Sequence, residues 1–315
     1  MGLPSWQLPV IVFGSISLFL YLLIIIVICR FRKRSSSLAG SFFLLVLVHS
    51  IADISMFTEF NILMRARKYG YLNFIFTDHT DTYEGMARLS TWLHYYLKIV
   101  VYIGLVFFAL NRLTAISHPV NYEELWSRKR LYAAWFLQWT LPLIPTLTIV
   151  FDSRRTFELK YWEHEGMLRL ENDDATTQDL AYVDGVCCLA ATVFCIAFYS
   201  ATFYHVSAQL RKRNVERAFL LELRLVFASF IVFMLLLLNT FAQVLFVVFT
   251  FRGQSEAVMI LHSVTYPLID MLCMAQPWAL LLTSSQIRKG LLMLCSKKQG
   301  NKYSSSHEAM LRNGV

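Results

Sequence analysis

Asp53, His94, Lys98, Asn239, Asp270 and Gln276 are polar or ionisable side chains set inside long apolar runs of a 315-residue chain. In hydrocarbon each is expensive, so such residues turn toward a bundle interior, pair with one another and mark ligand or ion paths. Their chemistry is binding and switching through charge and hydrogen bonds. No G-x-x-x-x-G-K-[ST], H-E-x-x-H or G-x-S-x-G string occurs, so no catalytic residue, cofactor or enzyme activity is expected. Glu163, His164 and Glu165 could be imagined as metal ligands, but they lie in an acid-rich connection that reads as a solvated loop, and no metal site is expected.

Lys98 and His94 are four residues apart and share a helical face. Together they are candidates to line an outer-half pocket for an anionic or hydrogen-bonding ligand; the alternative is that Lys98 snorkels toward the interface. His262, Tyr266 and Asp270, each four residues from the next, form a second candidate wall, and an Asp270–Lys98 pair is conceivable. Asp53, midway along the second apolar run, has Gln276, beside Pro277, and Asn239 as candidate partners. That group is either a structural clamp between helices or a protonation- or ion-linked switch.

The elements that must position these residues are transmembrane helices. Apolar residues make up 57% and charged residues 16% of the chain, against about 45–50% and about 25% in a soluble domain. A crossing needs about 20 apolar residues. Seven runs qualify: Leu8 to Cys29, Leu38 to Asn61, Thr91 to Leu113, Leu131 to Phe151, Leu180 to Ser207, Leu225 to Phe251 and Ala257 to Ser284. None alternates as a membrane strand would. Basic segments such as RFRKR (30–34), SRKR (127–130), RKRNVER (211–217) and the C-terminal tail fall on one face, which holds more Lys and Arg than the other. The expected architecture is an all-α membrane protein, a seven-transmembrane helix bundle with the N-terminus outside and the C-terminus cytoplasmic.

MGLPSWQ lacks a basic n-region, so the first run is expected to stay as helix one, and Trp6 breaks a myristoylation motif. The six cysteines offer no outer-loop disulfide partner and no C-x-x-C pair; buried free thiols are expected. The seven-transmembrane domain is expected over 1–284 and a cytoplasmic tail over 285–315, opening with a short amphipathic helix whose Cys295 is either palmitoylated or free.

At the inner end of the third run stands NRLTAISHPVNY, Asn111 to Tyr122. Physics alone reads Arg112 as an interfacial anchor followed by a turn at Pro119, with Tyr122 at headgroup level. The spacing of Asn111, Arg112, Ile116, Pro119 and Tyr122 also resembles the Asp-Arg-Tyr-x-x-Ile-x-x-Pro-x-x-Tyr segment of rhodopsin-like G-protein-coupled receptors. ALNRLTAISHPVNYEELW (109–126) and QPWALLLTSSQIRKG (276–290) resemble more closely the nematode serpentine receptor class gamma superfamily, including its class V relatives. The resemblance implies a chemosensory receptor that binds an extracellular small molecule, an odorant or pheromone, and couples to a heterotrimeric G protein through Asn111, Arg112, Pro119 and Tyr122. It further implies a multi-pass protein of the plasma membrane, in the sensory cilium of chemosensory neurons.

This sequence departs from the rhodopsin-like pattern in several places. Asn111 replaces the acid, helix six has neither Pro nor Trp, and helix three has no outer Cys to tether the loop from Asp152 to Asp179. Arg112 must then be restrained by something other than its neighbour. Membrane lipids are expected partners of the basic rim, nucleic acid is not, and the competing class is a multi-helix transporter or channel.

Overall fold

The computed structural model describes residues 7–33, 38, 40–67, 69, 82–162, 167–211 and 217–295. Among them, six helical stretches are long and apolar enough to cross a membrane: Leu8–Phe31, Ser41–Ala66, Glu84–Ser117, Arg128–Val150, Asp174–Leu210 and Glu222–Phe251. The elements are α1 (Leu8–Phe31), α2 (Ser41–Glu59), α3 (Thr82–Ser117), α4 (Tyr122–Leu125), α5 (Arg128–Thr140), α6 (Leu143–Val150), β1 (Phe157–Trp162), β2 (Met167–Asn172), α7 (Asp174–Leu210), α8 (Arg217–Phe251), α9 (Ser255–Met274), α10 (Gln276–Thr283) and α11 (Ser285–Cys295). The seventh crossing is α9 followed by α10. The chain is a seven-helix membrane bundle with α3 at its centre, packed on α2, α5, α6, α7 and α8.

Three expected runs differ in outline, each for a local reason. The fourth is broken at Leu141–Pro142 into α5 and α6, because proline lacks the N–H that would continue the ladder. The seventh is broken at Ala275, with Pro277 in the first turn of α10, where its missing donor costs nothing. The second does not stop at Asn61: it continues as a π-helix, Phe60–Ala66. That wider turn carries Asn61 and Arg65 along the bundle, so Arg65 is a buried structural cation rather than a loop charge.

The connection read as a solvated acidic loop is an antiparallel hairpin, with Phe157 opposite Asn172 and Leu159 opposite Leu170. Its strands alternate, and Phe157, Leu159 and Leu168 are buried against α3, α6 and α7. Glu163, His164 and Glu165 lie outside the described residues. In place of the missing disulfide, Arg88 of α3 fastens the strand's approach, donating to the carbonyls of Val150 (2.8 Å) and Arg155 (2.7 Å) and lying over the Phe157 ring at 5.0 Å. Asp173 caps α7 by accepting from the Thr176 amide at 2.5 Å and also accepts from Thr156 at the hairpin's start. The Thr176 hydrogen bonds hold its carboxyl down at about 2. Arg88→Ala is expected to raise amide hydrogen exchange across Phe157–Trp162 at least about tenfold, since charged hydrogen bonds of this kind contribute roughly 1.5–3 kcal/mol each; exchange monitored by mass spectrometry checks it.

Close helix approaches rest on small residues. At Gly104 of α3 a Cβ would stand 2.1 Å from His49 Nδ1 and 2.6 Å from Gln138 Nε2. Gly104→Ala must therefore push α2 and α5 away from α3. Overpacking of this kind costs about 1–3 kcal/mol, and a lowered melting temperature of the detergent-solubilised protein is the readout. α11 is likewise held against α1, with Ile287 buried and Gly290 facing Val27. The side chain of Cys295 lies outside the described residues. Of the described cysteines, all free, Cys188, Cys195 and Cys273 are buried as expected, whereas Cys29 is exposed.

Candidate functional site

Polar side chains cross the bundle in three layers. At one end, Arg112 of α3 has no exposed surface. Its guanidinium donates to Glu222 of α8 at 2.7 Å, to Asn111 Oδ1 and, at 3.3 Å, to the Tyr122 hydroxyl. Tyr122 donates to Asn111 Oδ1 at 3.1 Å, and the Phe42 ring lies 4.1 Å beneath the guanidinium. Burial pushes the Tyr122 phenol up, partly offset by Arg112. A buried guanidinium is costly unless acceptors meet it; both terminal nitrogens are met here while Nε has no hydrogen bond from the protein, and the acid comes from α8 instead of the neighbouring position. Pro119 sits in the turn after α3, where Trp126 also donates to Thr114 at 2.7 Å. Ala115, Pro119, Tyr122, Glu222, Leu225 and Ser284 border an open cleft of about 340 Å³ at this end.

The middle layer contains Asp53 as expected, with a different set of neighbours. Tyr21 of α1 lies 2.6 Å from Asp53 Oδ2 and 3.0 Å from Gln276 Oε1, standing between the two. A phenol has one proton and donates to one of them at a time. His49 Nε2 faces the other carboxyl oxygen at 3.4 Å, while Gln138 directs its amide at His49 Nδ1, 3.2 Å away. Pro277 is buried beside Gln276, and Trp278 donates to Ser17 on α1 at 2.8 Å. Asn239 is not a partner of Asp53: it donates to the Tyr102 hydroxyl at 3.1 Å, on the far side of α3.

Among the described residues, the hairpin end holds two separate ion pairs in which a buried Lys or Arg meets a buried acid. Lys98 does not meet Asp270. It pairs with Asp184 of α7, and the amide of Gln243 on α8, turned to satisfy both, donates to Asp184 at 3.1 Å and accepts from Lys98 at 3.2 Å. Asp270 instead accepts from Arg65 at 2.5 Å, and Arg65 also donates to Asn61. The π-helical extension causes this exchange of partners, because it brings Arg65 level with Asp270. His94 faces Glu59 at 3.2 Å and stacks on Phe60, whose ring edge meets Tyr266 at 4.8 Å. His94, Lys98, Tyr266 and Asp270 thus share one end of the bundle, while the side chain of His262 lies outside the described residues. Buried carboxyl oxygens Glu59 Oε1 and Asp184 Oδ1 carry no hydrogen bond from the protein.

The residues missed from the sequence are the partners. Asp184 is an acid inside the fifth apolar run, so the rule that singled out Lys98 applies to it equally. Glu222 sits among basic residues at the start of α8 and reads locally as part of a charged rim. Arg65 was hidden by ending helix two at Asn61, whereas Glu59 lies inside that run, at its outer end, and was not picked out as a partner of His94.

A bundle of seven apolar helices around buried charge, with an arginine held across α3 and α8, defines the class of seven-transmembrane helix bundles. The family model of the serpentine type 7TM GPCR chemoreceptor Srv matches residues 10–296, and the chain belongs to that family. It is similar to Serpentine receptor class V-1 of Caenorhabditis elegans, 25% identical over 198 residues that cover 61% of this chain and 60% of the relative. The match thus spans less than two thirds of that relative's length.

Proposed function

We propose that this protein is a chemosensory receptor of the plasma membrane of sensory neurons, placed in their cilia. The hairpin end faces outside and meets a small molecule, and the Arg112 end faces the cytoplasm and meets a heterotrimeric G protein. The observation that carries this reading is the Arg112–Glu222 contact: a fully buried arginine of α3 held by an acid of α8 whose side chain is one-third exposed (34%). Opening that contact would expose a cationic site beside the 340 Å³ cleft. A ligand shifts such an equilibrium only by binding one packing better than the other. The ion pairs of Lys98, Asp184, Arg65 and Asp270 supply differential contacts on α3, α7, the extension of α2 and α9.

Orientation follows the charge asymmetry. It is reinforced by the burial of Arg65 and Arg67, and by the half-buried Arg88 bonded to the carbonyls before the hairpin, which sit on the hairpin side but serve packing rather than topology. The test is G-protein reporter output in cells expressing the chain and challenged with odorant and pheromone panels. Ligand-dependent output is expected. Ion current or solute uptake without G-protein output would replace the receptor by a transporter or channel. Staining of an N-terminal tag only after permeabilisation would reverse the orientation.

A further inference from the structure

A second cleft, of about 650 Å³, opens at the Arg112 end between α1, the start of α2 and the segment joining α4 to α5. Its rim carries Arg32 and Lys33 at the end of α1 and Arg128 at the start of α5, against a single acid, Glu123. Its wall runs along Ser41, Leu44 and Leu47 of α2 to Leu131 of α5. Of the first ten residues of α2, only Leu44 and Leu47 are not buried. The groove therefore extends about 9 Å up the helix from its charged mouth.

The charge pattern is unusual for a helix start. The first turn of α5 holds Arg128, Lys129 and Arg130 and no acid, although the positive end of the helix dipole disfavours cations there. A bound anion would offset both the dipole and the clustered charge. Trp126, on the same wall, already donates its indole N–H to Thr114, three residues after Asn111, so it presents ring surface rather than an unmet donor. A cationic mouth leading into an apolar groove at the hydrocarbon boundary matches a phosphate-bearing headgroup on an acyl chain.

We infer that this cleft binds an anionic phospholipid, its phosphate between Arg32, Lys33 and Arg128 and an acyl chain along Leu44, Leu47 and Leu131. The site adjoins the cleft assigned to the G protein, with Glu123 on the border of both, and its occupation ties the end of α1 to the start of α5, which follows the short helix that begins at Tyr122, one of the partners of Arg112.

The test uses the purified full chain in mixed micelles, where neither orientation nor signalling enters, so its outcome is separable from that of the receptor reading. Native mass spectrometry measures retention of phosphatidylserine against phosphatidylcholine. Phosphatidylserine is expected to be retained preferentially, and glycerophosphoserine, the headgroup without chains, to compete poorly. The pair Arg32→Gln with Arg128→Gln is expected to reduce retention about tenfold. Arg30→Gln with Lys129→Gln, which removes two exposed charges from the same segments outside the cleft, is expected to leave it nearly unchanged. Leu44→Trp, which fills the groove and keeps every charge, is expected to lower retention as well. Equal loss from the two charge pairs, retention unchanged by Leu44→Trp, or full competition by glycerophosphoserine would overturn the assignment.

Discussion

Lys98→Met is expected to remove most of the receptor from the cell surface and to lower its melting temperature in detergent. Lys98 and Asp184 are both almost fully buried and bonded to each other, with Gln243 bridging them. Deleting one partner leaves the other charge without compensation, a loss of about 3–5 kcal/mol, whereas replacing both by apolar groups of similar size is often neutral. Asp184→Leu alone is therefore expected to be as damaging as Lys98→Met, and the double variant to recover expression and stability. Pairing Lys98→Asp with Asp270→Lys is expected to restore nothing, because Asp270 belongs to Arg65. Simple additivity of the two losses in the Lys98/Asp184 cycle would mean that the residues do not interact. The recovered double variant also separates stability from function: if it folds but no longer responds to any panel compound, the ion pair contributes to ligand recognition.

Arg112→Ala is expected to reduce G-protein output at least about tenfold at matched surface expression, the equivalent of roughly 1.4 kcal/mol or more of lost coupling. Its surroundings give two finer expectations. Tyr122→Phe removes a hydroxyl that meets both Arg112 and Asn111 and should raise basal output modestly. Asn111→Asp keeps the oxygen that accepts from Arg112, replaces an amide nitrogen that has no partner, and adds a charge beside the guanidinium. That change should lower basal output by holding Arg112 more firmly. Full signalling by Arg112→Ala would reduce this stretch to an anchor and a turn.

The seven runs were legible because hydrocarbon imposes a length and a composition that few other environments impose. Arg112 was legible as well: an arginine closing an apolar run is costly wherever it ends. Asn111 correctly signalled that the acid must come from elsewhere, but its source, Glu222, is 110 residues away and depends on how α3 and α8 pack. The same limit explains Tyr21, whose hydroxyl joins α1 to Asp53 and Gln276 although nothing in its local run marks it. Asp270 was legible as a buried acid but not as the partner of Arg65, since the π-helical turn that aligns them has no clear periodic signature. The hairpin was hidden for another reason. Its alternation of Phe157, Leu159, Leu168 and Leu170 was outweighed by the acids around it, of which Glu158, between the buried Phe157 and Leu159, is exposed.

The central claim is that the contact between Arg112 and Glu222 restrains the receptor. Its most direct measurement is basal G-protein output of Glu222→Gln compared with the parent chain at equal surface expression and without added ligand. Glutamine keeps the length and an acceptor but removes the charge. Basal output above the parent's is the result the account predicts, and output equal to or below it would contradict a restraining role.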